Sequence, residues 1–322
     1  MSTQIDVWNL SQKYSRHSIY LRGLYESLAI QLYNQYEPTR HHSNRVSRNF
    51  LNRLDDWLGC FDKEPHKWAA FRSLEYLFFA GQSEFDELYR HVTENVIKRW
   101  LVDISNIDIF SRGYSKRLDQ ELTNCWLCPA TDSLRINGFL HISGLKGKSP
   151  RPDWMSLSEF GSKEKIQKFV QKEKISSLVI LEDFVGSGGQ FVEALKFAAS
   201  VFSGPILAVP LIVCSPGNTK ILSAIKTHKL KNVRYEPGLI VSETCLIQKK
   251  PVQGQPKLFE ELRAAMKAGY KKIARPMDGE EYGWKGTGSL VVLYSNCPNN
   301  TPPIYHASSV AWKPVFPRRA RV

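Results

Sequence analysis

The chain has 322 residues, 42% of them apolar, which is enough for one large or two modest domains with a real core and requires no general disorder. Its formal net charge of +13 is unevenly placed: residues 1–105 hold 13 basic and 13 acidic side chains, so the whole excess, 31 basic against 18 acidic, lies in residues 106–322 and favours an anionic ligand or partner there. The longest purely apolar stretch, residues 206–214, contains Pro210 and is far too short to span a bilayer, and no basic-then-apolar leader opens the chain, so a cytoplasmic protein without membrane contact is expected.

The N-terminal third reads as helices. Leu21, Leu24, Tyr25, Leu28, Leu32 and Tyr33 recur at helical spacing before Pro38, and Phe50, Leu51, Leu54, Trp57, Leu58 and Phe61 repeat the pattern before Pro65. A third and a fourth helix are expected over residues 68–79 and 85–100. His41, His42, Arg45, Arg48 and Arg53 read as a solvated basic helix edge or as a contact for nucleic acid or a partner. No catalytic pattern is visible in residues 1–117, so an N-terminal helical module with an architectural, partner-binding or capping role is expected.

From residue 118 the texture changes to short apolar runs punctuated by Gly and Pro. Strands are expected at residues 134–142, 178–181, 206–213, 239–241 and 290–294, and helices at 163–172, 189–202, 219–227 and 258–268. Alternation of this kind predicts an α/β fold with a parallel sheet, a Rossmann-like core over residues 118–322. Six cysteines spread over the chain fit reduced thiols, and the one close pair, Cys125 and Cys128, reads as two buried thiols beside a strand rather than as half of a zinc site.

Residues 178–190 carry the chemistry. Four apolar residues end in Glu182 and Asp183, then come Gly186, Ser187, Gly188 and Gly189, and then Phe191, Ala194, Leu195 and Ala198 at helical spacing. A buried strand that feeds a helix through glycines places freed backbone N–H groups and a helix N-terminus at the carboxyl edge of a sheet, where they suit a phosphate. Two carboxylates beside them suit a polyol or a metal-bound ligand. A structural turn whose acids cap the helix or face solvent is the alternative.

A second phosphate motif fails on its own chemistry. Residues 144–149, Gly-Leu-Lys-Gly-Lys-Ser, nearly spell a P-loop, but Ile142 stands where a glycine is required, and Pro150 and Pro152 forbid the helix that must follow. Lys146 and Lys148 then read as a mobile basic loop able to meet a diphosphate. Asp132 and Ser133 precede the expected strand at 134–142, along which Arg135 and His141 would alternate, so Arg135 could point to a diphosphate or serve as a structural cation. Arg151, Asp153 and Trp154 could form an anion clamp with an aromatic platform for a base, or a loop salt bridge beside a half-buried Trp. Asn296, Asn299 and Asn300 could hold a turn or hydrogen-bond a base or ribose.

The strand, acidic pair and glycine loop resemble the 5-phosphoribosyl 1-diphosphate (PRPP) loop of type I phosphoribosyltransferases. That resemblance implies that Glu182 and Asp183 hold the ribose hydroxyls, that Gly186, Ser187, Gly188 and Gly189 wrap the 5-phosphate, and that Mg²⁺ joins the diphosphate with Asp183 as a ligand. The chain departs from the usual pattern at Gly188, Gly189 and Gln190, where hydroxyl side chains are common, so fewer side-chain donors reach the phosphate. Residues 128–133, 135–137, 151–154, 160–161, 181–189, 296–303 and 312–318 together look like the phosphoribosyltransferase-like proteins of bacterial conflict and anti-phage systems, some encoded beside retron-type reverse transcriptases.

The resemblance implies a transferase, or a nucleotide glycosidase acting as a toxin, with a reverse transcriptase or nucleic-acid complex as a possible regulator. A PRPP- or nucleotide-sensing module of the same fold, binding nucleic acid or a partner, is the alternative from another class, and a structural subunit with a vestigial loop is a third.

Overall fold

The computed structural model describes residues 3–37, 47, 49–146, 152–273 and 280–318. The chain divides into two compact units, Met1–Gln82 with Ser242–Val322, and Ser83–Val241. The boundary expected after residue 117 falls inside the second unit.

The first unit opens with α1 (Gln4–Asn9), α2 (Ser15–Gln31), α3 (Phe50–Gly59) and α4 (Glu64–Ser73). Leu21, Tyr25 and Ala29 form the buried stripe of α2. Asn49 starts α3 by accepting the N–H groups of Leu51 and Asn52, and Phe50, Leu54, Trp57 and Leu58 turn inward. Pro65 sits in the first turn of α4, where a missing N–H leaves no helix bond unmade. The helix expected to run to residue 79 stops at Ser73, and Phe78–Ala80 form a short strand, β1.

The second unit begins with α5 (Gln82–His91), a π-helical turn at Val92–Ile97, α6 (Lys98–Ile104) and α7 (Tyr114–Asn124). Its sheet and crossover helices follow as β2 (Cys125–Pro129), α8 (Ile136–Ile142), α9 (Trp154–Phe160), α10 (Lys163–Lys172), β3 (Ser177–Val185), α11 (Gly189–Val201), β4 (Ile206–Cys214), α12 (Ser215–Thr227), β5 (Val233–Tyr235) and β6 (Leu239–Val241). Every pairing is parallel: β3 lies between β2 and β4, and β4 pairs with β5 along its first half and with β6 along its last. The strands are apolar runs rather than alternating ones because both faces are covered, as all nine buried residues of β4 illustrate.

One expected strand is a helix. Residues 134–137 alternate apolar and polar positions, but Phe139 and Leu140 are adjacent apolar residues that break the alternation, and Ile136–Ile142 form α8, closed at its start by Gly138 N–H and Phe139 N–H donating to the Arg135 carbonyl at 2.8 and 3.2 Å. The strand position is taken by Cys125–Pro129, a fully buried run, and a parallel partner for β3 then needs a crossover made of helix. Phe139 and Leu140 are the residues α8 buries, with the Phe139 ring 5.3 Å from that of Tyr89. Arg135 and His141 therefore do not alternate along a strand.

The chain returns to the first unit with α13 (Leu258–Ile273) and β7 (Val291–Leu293). β7 was expected in the main sheet but pairs with β1, in parallel, as a separate two-stranded sheet. Among the described residues no helix is long and apolar enough to cross a membrane.

Arg53 also corrects an expectation, since it is 4% exposed rather than part of a solvated edge. Its guanidinium donates to the carbonyls of Val315 (2.9 Å), Ser47 (2.9 Å) and Tyr33 (3.0 Å), tying α3 to two distant segments. Burial lowers its pKa to about 10. His41, His42, Arg45 and Arg48 lie outside the described residues. Replacing Arg53 by Ala strands buried carbonyls and is expected to destabilise the fold by at least about 2 kcal/mol, read as a lowered midpoint in urea denaturation.

Candidate functional site

The site is built where adjacent parallel strands end together. Register places Pro129 of β2 beside Leu181, and Glu182 and Val185 beside Pro210 and Val213 of β4, so the turn after β2 and the loop after β3 leave the sheet at one edge. The ladder runs one step further, with Ala130 N–H donating to the Leu181 carbonyl at 2.7 Å. Alternation along β3 then turns Glu182 and Asp183 to opposite faces.

Glu182 is 4% exposed, and its carboxylate is gripped by the turn after β2. It accepts from the Thr131 N–H at 2.9 Å, the Thr131 hydroxyl at 2.5 Å and the Ser133 hydroxyl at 2.5 Å. Burial pushes its pKa from 4.5 to about 8, the negative charge of Asp183 pushes the same way, and these hydrogen bonds offset part of the rise. Thr131 was not singled out among the site residues; no local signal marks it, because its partner lies 51 residues away.

Asp183 is half-buried, and its Oδ1 accepts the Phe184 N–H at 2.8 Å. Gly186 and Gly188 are buried, and Ser187 and Gly189 are half-buried. Gly188 stands at the N-cap of α11 with φ +78°, in the left-handed region that glycine tolerates best. The first-turn N–H groups of α11 have no acceptor within the helix, so the loop presents donors and the positive end of a helix dipole at one point. Gly217, in the first turn of α12, packs against this loop: a Cβ there would stand 2.6 Å from the Gly186 carbonyl oxygen. The Ser-Pro-Gly triplet that opens α12 was a local signal for such a close approach.

The remaining expected residues scatter. Asp132 is exposed in the turn that Ser133 anchors to Glu182, Arg135 is exposed at the N-cap of α8, and Lys146 is exposed just beyond α8. Lys148 and Arg151 lie outside the described residues. Asp153 caps α9, accepting the Ser156 N–H at 2.8 Å, and Trp154 is fully buried, so neither an exposed clamp nor an aromatic platform for a base is formed by that pair. Asn299 belongs to the first unit and is exposed, with its carbonyl accepting the Trp284 N–H at 2.7 Å. Its neighbour Asn300 is the turn-holder, donating to Thr287 Oγ1 at 2.9 Å and to the Trp284 carbonyl at 3.2 Å.

Cys125 and Cys128 are both buried in β2, and burial pushes the Cys125 thiol up to about 12 and the Cys128 thiol well above its ordinary value. Cys128 donates to the Pro152 carbonyl at 2.6 Å. Among the described residues no group of three or more His, Cys, Asp or Glu side chains could by itself hold a metal ion.

Two consequences can be measured. Glu182 carries a proton in the folded chain at pH values where the unfolded carboxyl has lost it, so its contribution to stability is full below the unfolded pKa and is lost as pH rises through about 8. Urea denaturation at about pH 6 and about pH 9 should show that loss in the wild type and a flatter response in Glu182→Gln. Gly188→Ala forces a side chain into the left-handed region and sets its Cβ 3.0 Å from the Gly217 carbonyl oxygen, and is expected to cost about 1–2 kcal/mol or more in the same assay.

Residues 54–318 match the model of the family PRTase-CE. No curated protein and no solved structure matches the chain. The matched span includes the acidic pair, the glycine loop and the whole parallel sheet, and on that match the chain belongs to the PRTase-CE family, a phosphoribosyltransferase-like family.

Proposed function

We propose that the protein binds a ribose 5-phosphate ligand, PRPP with Mg²⁺ foremost, at the edge where β3 ends, and acts at ribose C1 as a transferase or a nucleotide glycosidase. The observation that carries this reading is the succession of Asp183, the glycine loop with Gly188 at φ +78°, and the N-terminus of the 13-residue helix α11. Backbone N–H groups of that loop would hold the 5-phosphate, with the Ser187 hydroxyl as the one side-chain donor between Gly186 and Gly189. Asp183 would face the ribose, where its charge favours a sugar that becomes oxocarbenium-like as the bond from C1 to the leaving diphosphate, or to the base of a nucleotide, breaks and an acceptor or water bonds to C1 in its place.

Mg²⁺ takes oxygen ligands and often needs only one or two carboxylates besides the oxygens of its substrate, a requirement that Asp183 fits. When bound it would screen the charge of a diphosphate leaving group. Arg135 and Lys146, exposed on and just beyond the segment that follows β2, are the described cations proposed to meet that diphosphate. An effector or toxin role in anti-phage defence, cytoplasmic and governed by a reverse transcriptase or nucleic-acid partner, is part of the proposal and rests on the motif resemblance.

Glu182 favours keeping a second reading, a sensor that binds the same ligand without turning it over. Its carboxylate is occupied by Thr131 and Ser133, which leaves one acid of the pair to meet a ribose.

Calorimetric titration with PRPP and Mg²⁺, with diphosphate release followed in the same samples, separates the readings. Binding with release is expected for the transferase or glycosidase, with affinity reduced roughly tenfold or more in Asp183→Asn and less in Ser187→Ala. Binding without release, lost in Asp183→Asn, is the result of a sensor or of a transferase that awaits its acceptor. No binding by the wild type sinks the PRPP assignment.

A further inference from the structure

The loop between β3 and α11 is walled on one side by the start of α12. Gly217 approaches so closely that a Cβ there would meet Val185 Cγ1 at 3.1 Å as well as the Gly186 carbonyl oxygen at 2.6 Å. Gly188 completes the approach: its missing Cβ would stand 3.0 Å from the Gly217 carbonyl oxygen and 3.4 Å from Cβ of Lys220. The contact of glycine with glycine thus brings one cationic side chain to the loop. Lys220 is exposed, and the four-carbon stem of a lysine carries its ammonium about 5 Å beyond Cβ, far enough to reach a group seated on the loop's N–H donors.

Charge balance points the same way. Lys220 makes no ion pair among the described residues, like Lys226 and Lys231 of the same unit, so no carboxylate holds its ammonium; what sets it apart is its place beside the loop. An ammonium beside the N-terminal end of α11 is repelled by the helix dipole until an anion sits between them. A phosphate monoester carries a charge of about −1.5 to −2 near neutrality, more than the roughly half charge of a helix end balances, and Ser187 is the only side chain within the loop's glycines that can add a donor.

We infer that Lys220 is a further binding residue for the ligand's 5-phosphate and that the start of α12 forms the second wall of that subsite. The inference rests on the sugar-phosphate reading of the loop and adds a residue outside it. It assigns Lys220 to the 5-phosphate and not to the diphosphate.

The test is calorimetric titration of the full chain, as wild type, Lys220→Ala and Lys220→Arg, with ribose 5-phosphate, PRPP with Mg²⁺, inorganic phosphate and inorganic diphosphate. Lys220→Ala should weaken ribose 5-phosphate and PRPP by the same factor, roughly tenfold or more, leave diphosphate unchanged and reduce the salt dependence of binding. Lys220→Arg should restore most of the affinity. Equal affinity of wild type and Lys220→Ala for both sugar phosphates overturns the inference while leaving the loop's function standing, and so does a loss confined to diphosphate. A wild type that ignores both sugar phosphates but binds inorganic phosphate through Lys220 keeps the anion site and removes the phosphoribosyl reading. A wild type that binds none of the four overturns both.

Discussion

The parallel register of β2, β3 and β4 is the constraint on which the site depends. Parallel strands in one sheet point their carboxyl ends the same way, so the turn after β2, the loop after β3 and the start of α12 leave from one edge although some 90 residues separate the first from the last. Each of those segments carries its own chemistry: hydroxyls at Thr131 and Ser133, a carboxylate and freed amides at Asp183 to Gly189, and a close-packed glycine with a nearby cation at Gly217 and Lys220. No single segment could assemble these groups.

Two buried ionisable groups, one in each unit, show opposite solutions to the same problem. Glu182 is an acceptor surrounded by donors, and the turn that supplies them is thereby fixed to the end of β3. Arg53 is a donor surrounded by acceptors, the backbone carbonyls of Tyr33 and Val315 from two distant segments and that of nearby Ser47. In both cases burial drives the pKa toward the neutral form and hydrogen bonds make the burial tolerable. Each therefore holds backbone segments together, and in Glu182 that role coincides with the position where a ligand contact was expected.

The glycines act through proximity as well as through flexibility. Gly188 adopts a left-handed conformation, but Gly217 does not, and what makes a side chain costly there is the Gly186 carbonyl 2.6 Å from the Cβ position. Loop, helix start and neighbouring helix consequently leave no room for a side chain between them.

The sequence by itself determined the elements whose burial follows a local period. α10 spans the expected residues 163–172, α11 and β4 agree with expectation to within a residue at each end, and the strand, acids, glycines and helix of residues 178–190 were legible as a unit. Only the tertiary structure decided the rest. The alternation that opens residues 134–142 fits a strand locally, yet Ile136–Ile142 form α8, and Cys125–Pro129 fills the strand position beside β3. The short apolar run at 291–293 pairs with β1 rather than with the main sheet, a choice that no neighbour in sequence dictates. Trp154, Arg53 and Glu182 looked like surface or ligand-facing groups and are buried, each against partners distant in the chain. Periodicity reports which way a residue faces within its own element; which element stands opposite, and whether a polar group finds donors there, depends on contacts between residues tens to hundreds of positions apart.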